Sequence, residues 1–158
     1  MNALVVYDSQ YGNTERIATA IADTLRTTGD VRALRIDAAQ PLDLEGVDLL
    51  ILGSPTQGWR PTVATQTLLA KLMPEQLHGK AVACFDTRFQ KPRWMTGSAA
   101  RRMADHFQRM GVRLLAPPES FFVGKTEGPL LTGELGRAAV WARALLNRLE
   151  TPNPVMQR

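Results

Sequence analysis

The sequence predicts an α/β domain, a parallel sheet wound on both faces with helices. Three observations predict it. Short, nearly uninterrupted apolar runs at residues 3–7, 47–53 and 81–85 read as strands covered on both sides. Segments of helical period lie between the strands, and the two kinds alternate along the chain. The 158 residues suffice for one core and not for two.

The first strand, residues 3–7, runs into Asp8-Ser9-Gln10-Tyr11-Gly12, which has the composition of a loop. From 14 to 27 the stripe Ile17, Ala18, Ile21, Ala22 and Leu25 has helical spacing, with Asn13 or Thr14 as the expected cap and Glu15 in the positive first turn. Gly29 stops this helix, and residues 31–36 alternate as a second strand. Residues 43–46 lead into the third, 47–53, whose apolar character places it at the centre of the sheet. A helix is expected over 62–72, after Pro61, with Val63, Leu68, Leu69 and Leu72 available for burial.

Residues 81–85 form the fourth strand. Thr96 or Ser98 opens a helix carrying Ala99, Met103, Phe107 and Met110 on one side, and Gly111 ends it. Residues 112–115 and 121–123 read as two pieces of a fifth strand, separated by Ala116-Pro117-Pro118. A last helix spans 133–149. One domain therefore covers 1–150, and 151–158 is a polar tail opened by Thr151-Pro152-Asn153-Pro154. The link between the second and third strands is either a loop or a full helix.

Bulk composition narrows the function classes. Hydrophobic residues make up 44% and charged residues 22%, which excludes a disordered or coiled-coil chain. The longest apolar run, 47–52, contains Asp48 and is far short of the roughly 20 residues of a membrane helix. The first seven residues have neither a basic region nor a small-residue cleavage site, so a soluble, cytoplasmic protein with no membrane span is expected. One cysteine, Cys84, excludes an internal disulfide framework, and no Cys/His cluster can hold zinc. The net charge of +4 and pI near 9.7 favour acidic partners. The cations form no stripe and no aromatic platform, so nucleic acid is not expected.

Ligands of such sheets bind beyond the carboxyl ends of the strands, which directs attention to the loops after Tyr7, Gly53, Phe85 and Val123. The first loop offers two hydroxyls, an amide, a glycine and a series of backbone N–H groups at a helix N-terminus, a natural seat for a phosphate monoester. It has no G-x-G-x-x-G and no Walker lysine. Residues 53–58 have Walker glycine spacing, but Trp59 and Arg60 follow where Lys and Ser/Thr belong. Cys84 is inside a strand rather than in the first loop, which excludes a low-molecular-weight phosphatase. Gly53 and Ser54 stand where a receiver domain needs Asp. His78 and His106 lack any catalytic partner spacing, so no catalytic residue and no metal ligand is identified.

The segment Asp8-Ser9-Gln10-Tyr11-Gly12-Asn13-Thr14-Glu15 resembles the phosphate loop of the flavodoxin family, roughly T/S-x-T/Y-G-x-T after the first strand. The order of elements agrees over nearly the whole chain. This resemblance implies a flavodoxin-like five-stranded sheet of order 2-1-3-4-5, FMN as cofactor, and electron transfer as function. It implies that Ser9, Gln10, Tyr11, Gly12, Asn13 and Thr14 hold the phosphate. Pro55, Thr56, Gln57, Gly58, Trp59 and Arg60 then belong to the loop that packs on the isoalloxazine ring. Asp86, Thr87, Arg88, Phe89 and Trp94 complete the site, with Trp59, Phe89 and Trp94 the stacking candidates.

The third loop departs from the family, whose members carry an acidic, glycine-rich segment with a stacking Tyr there. Here stand Arg88, Lys91 and Arg93, and Arg60 adds a fourth cation. Positive charge beside the ring stabilises an anionic reduced flavin, so a less negative potential than in acidic flavodoxins is expected. The loop after the fifth strand, Lys125-Thr126-Glu127-Gly128-Pro129-Leu130, is read as a structural turn. Three functions remain open at this level. The first is an electron carrier with acidic redox partners. The second is a small FMN oxidoreductase with its own substrate, an anionic compound, a quinone or a protoporphyrinogen-type compound. The third is a flavin-free binding module.

Overall fold

The computed structural model describes residues 1–151, so the expected polar tail lies outside the described residues apart from Thr151. The strands are β1 (Asn2–Tyr7), β2 (Asp30–Arg35), β3 (Leu49–Pro55), β4 (Ala81–Phe89) and β5 (Glu119–Val123). All neighbours pair in parallel, in the order β2-β1-β3-β4-β5. The helices are α1 (Asn13–Leu25), α2 (Val63–Lys71), the single turn α3 (Arg93–Thr96), α4 (Ala99–Arg109) and α5 (Glu134–Glu150). A short 3-10 turn, Pro74–Leu77, precedes β4.

Strand alternation sends successive side chains to opposite faces. Val5, Tyr7, Leu49, Ile51, Ala83 and Phe85 join the core under α1 and α5. Leu4, Val6, Leu50, Leu52, Val82 and Cys84 join the core under α2 and α4. The central strand is therefore apolar at every position from Leu49 to Leu52, each residue withdrawn from water and worth about 1.5–3 kcal/mol. Cys84 packs as a small hydrophobe, and burial pushes its thiol pKa far up, so it is not a reactive group. At Gly53 the missing side chain is filled by the Phe85 ring, which meets Phe121 and Trp141 edge-on at centroid separations of 6.0 and 6.1 Å.

The link between β2 and β3 is a loop that buries Ile36, Ala39, Leu44 and Val47 on the α2 and α4 face without a helix. β4 is longer than the apolar run 81–85, because Asp86 to Phe89 continue to pair with β3 or β5. The two pieces expected of a fifth strand do lie along one edge of β4, but only the second is a strand. Leu114 makes a single bridge to Val82, Pro117 and Pro118 lack the N–H a ladder requires, and pairing resumes at Glu119.

Candidate functional site

Tyr7, Gly53, Phe85 and Glu119 lie in register across four strands, so the loops that follow open at one end of the sheet. They enclose a cleft of about 550 Å³. The first loop forms one wall. Gly12, at φ 89°, is the N-cap of α1 and supplies no side chain to it, so Asn13 and Thr14 are the first helical residues rather than caps. The amides of Gln10, Tyr11, Asn13 and Thr14 have no partner within the described chain. Ser9 Oγ already accepts the N–H groups of Gly12 (3.1 Å) and Glu15 (3.3 Å), which leaves its own proton as the group it has to give. Thr14 Oγ1 lies 2.8 Å from Thr87 Oγ1, and one hydroxyl proton of the pair remains for a third acceptor.

The starts of α2 and α4, by contrast, are capped by side chains. The α4 terminus receives the Ser98 hydroxyl on Arg101 N, the Thr56 hydroxyl on Ala99 N and the Asp86 carboxylate on Ala100 N. Thr62 caps α2 and donates to Asp8 Oδ2 at 2.6 Å, which ties the first loop to the second. The α1 start, uncapped and on the cleft lining, offers its positive end to an anion there.

The second loop turns tightly. Gln57 and Arg60 exchange two backbone hydrogen bonds, 2.8 and 3.1 Å long, and the residues between them, Gly58 and Trp59, both have positive φ (54° and 69°), as in a type I′ turn. A tryptophan in that region is strained, and two contacts hold it. Its indole N–H donates to Met95 O at 3.0 Å, and its backbone bridges Gly97, which has room for no Cβ there. Trp59 stays 54% exposed on the cleft lining, and Gln57 and Gln10 hydrogen-bond across the cleft.

In the third loop the side chains separate by role. Thr87 faces the cleft floor. Arg88 reaches back over it: Nε donates to Ser120 Oγ (2.9 Å), Nη1 to Lys91 O (2.7 Å) and Thr96 Oγ1 (3.1 Å), and the guanidinium stacks 5.2 Å from the Phe122 centroid. Arg88 thus holds the loop in shape and brings a charge to the cleft. Phe89, Lys91, Met95 and Thr96 line the opening. Asp86 is wholly buried below, with Oδ2 accepting from Ser98 Oγ at 2.5 Å and Oδ1 unpartnered.

Burial raises the Asp86 carboxyl above the usual carboxylate range, opposed by its hydrogen bonds to Ser98 and Ala100. The folded chain therefore keeps this proton to higher pH than the unfolded chain. Its contribution to stability is complete below the unfolded carboxylate pKa and declines as pH rises through the folded one. Asp86→Asn is expected to flatten that decline, read as urea midpoints from about pH 4 to about pH 8. Identical midpoint profiles for the two proteins would contradict it.

Of the residues named from sequence, Ser9, Gln10, Tyr11, Asn13, Thr14, Pro55 to Trp59, Thr87, Arg88 and Phe89 come together around the cleft. Gly12 sits at its edge, shaping the loop. Asp86 is beneath the site and not in it. Arg60 turns into a separate groove beside Arg102, His106 and Arg109, and Trp94 is 77% exposed outside the lining. Met95, Thr96, Val123 and Thr126 line the cleft without having been singled out. Met95 and Thr96 carry no motif, while the loop after β5, read from sequence as a structural turn, borders the cleft through Thr126 and is tied to the first loop by Asn13 Nδ2, which donates to Glu127 O at 3.2 Å.

A sequence model of the family described as Flavodoxin matches residues 5–135. Among solved structures, a flavodoxin from the domain Archaea superposes with a TM-score of 0.80 at 20% identity, covering 96% of this chain and 100% of that one. The Streptococcus pneumoniae TIGR4 flavodoxin gives 0.74 at 22% identity, covering 94% and 99%. Rubredoxin oxygen:oxidoreductase from the anaerobe Desulfovibrio gigas gives 0.73 at 19% identity, where this chain spans 95% of itself and 37% of that protein. At these identities the structural likeness is one of fold.

Proposed function

The chain belongs to the flavodoxin family, whose cofactor is FMN and whose members carry electrons between redox partners, and from that premise we propose that this protein is an FMN-dependent electron carrier serving acidic partners. The residues present suit the cofactor. Four free amides and two hydroxyl protons at the open end of α1 make a donor set for a phosphate ester, and no carboxylate lines the cleft to repel it. Tyr11, Trp59 and Phe89 supply the apolar surfaces a planar ring needs. Bound FMN supplies reversible one- and two-electron chemistry.

The chain's own residues do the rest. Ser9, Thr14 and the free amides of 10, 11, 13 and 14 would orient the phosphate, and the 57–60 turn with Trp59 would cover the ring and exclude water. Arg88 and Lys91 are the two cations at the cleft, half of the charge that composition alone suggested for the ring. The carrier role is preferred over an enzyme with its own substrate because it is the role of the family to which the chain belongs.

The observation that carries this reading is the uncapped α1 terminus facing the aromatic wall. Its test is an absorption spectrum after adding FMN and removing the excess, followed by titrations with FMN and with riboflavin. Retained bands in the blue flavin region are expected. Three or more charge-assisted hydrogen bonds to phosphate, each worth about 1.5–3 kcal/mol, predict FMN preferred over riboflavin by on the order of a hundredfold or more. Equal affinities would remove the phosphate from the α1 terminus.

A further inference from the structure

Two stretches of the chain, residues 53–74 and 87–104, contain no Asp or Glu. Between them they hold Arg60, Lys71, Arg88, Lys91, Arg93, Arg101 and Arg102, so the remainder of the chain is net acidic. The fold sets the two stretches side by side. β3 pairs with β4, Trp59 bridges Gly97, and Arg60 shares a groove with Arg102 and Arg109 of α4. All ion pairs among the described residues use Arg26, Arg35 or Arg137, none of which lies in either stretch. Trp94, between Arg93 and Met95 in the α3 turn, is 77% exposed, and the Met95 carbonyl accepts the Trp59 indole N–H at the cleft wall.

We propose that this cationic face, which carries Arg60, Arg93, Arg102 and the exposed Trp94, is the docking surface for an acidic redox protein. The proposal rests on the carrier reading and assigns it a place on the molecule. Uncompensated charge of one sign steers an oppositely charged partner, while Trp and Arg are the side chains that most often anchor protein interfaces. Docking there brings the partner beside the cleft wall formed by Trp59 and Met95. One electron then leaves the reduced flavoprotein and reduces the partner's one-electron centre, and no atom is transferred.

The test uses the flavin-loaded protein and an acidic b-type cytochrome in its ferric form, with a basic c-type cytochrome for comparison. Calorimetry measures binding, and stopped-flow absorbance measures haem reduction by the pre-reduced flavoprotein. Binding to the acidic cytochrome is expected to weaken on the order of tenfold or more as ionic strength rises from about 0.01 to about 0.15 M. The triple variant Arg60→Glu, Arg93→Glu, Arg102→Glu is expected to lose that binding at least tenfold at low salt. Trp94→Ala is expected to weaken it severalfold at either salt, since an apolar anchor is not screened.

A control with equal charge change, Arg32→Glu, Arg113→Glu, Arg143→Glu, should stay within about twofold. Equal loss in the control set, or a preference for the basic cytochrome, overturns the proposal. A Gln series at the same three sites serves if the Glu variant does not fold by circular dichroism. The flavin spectrum, read beforehand, keeps the two failures apart: binding to the ferric cytochrome is measured whether or not electrons move.

Discussion

Gly97→Ala is expected to raise the FMN dissociation constant at least tenfold, the largest effect of any single added methyl at the site. Gly97 has φ 68° and ψ −176°, a backbone region essentially confined to glycine, where an alanine costs about 1–3 kcal/mol. A Cβ there would also stand 2.5 Å from Trp59 Cβ, 2.6 Å from its Cα and 2.8 Å from its carbonyl oxygen. Two of those atoms are backbone, so relief requires moving the 57–60 turn itself. That turn already holds Trp59 in a strained conformation, and it has no spare freedom to absorb the shift. Each 1.4 kcal/mol lost from the bound geometry is tenfold in affinity. Flavin fluorescence titration measures it. An unchanged dissociation constant would show that the turn does not border the flavin.

Gly53→Ala acts on the fold instead. A Cβ at Gly53 would lie 2.1 to 2.5 Å from three atoms of the Phe85 ring, which is wholly buried and packed against Phe121 and Trp141. Nothing at that point is flexible, because the ring is enclosed by the sheet and by α5. Overpacking of this kind costs about 3 kcal/mol. For a chain of this size that lowers the melting temperature by about 6–12 °C. Thermal denaturation reads the effect. Phe85→Leu in the same chain should recover part of it, since the two side chains compete for one space, and the double-mutant cycle should show favourable coupling. Additive losses would mean that the strain is relieved elsewhere.

The elements were legible wherever one local rule decides them. Buried strands declare themselves by apolar runs, and α1 by its stripe from Ile17 to Leu25. Boundaries were less legible where pairing decides them. Asp86 and Thr87 read as loop because they are polar, yet Thr87 is paired on both sides and Asp86 is buried beneath the α4 terminus. Asn13 and Thr14 have good capping chemistry, but Gly12 takes the cap, which leaves the helix end open.

The sequence by itself determined which loops converge. A parallel sheet carries its ligand at the carboxyl ends of its strands, and the Ser9 to Thr14 segment has donors and a glycine at such an end. It also determined the excess of cations in the second and third loops. Only the tertiary structure decided where those cations point. Arg88 is drawn back by acceptors on Ser120, Lys91 and Thr96, Arg60 is turned away by the reversal at Gly58 and Trp59, and Trp94 is lifted clear by the α3 turn. Side-chain direction in a loop depends on backbone torsions and on acceptors distant in sequence, and neither is written in the composition of the loop.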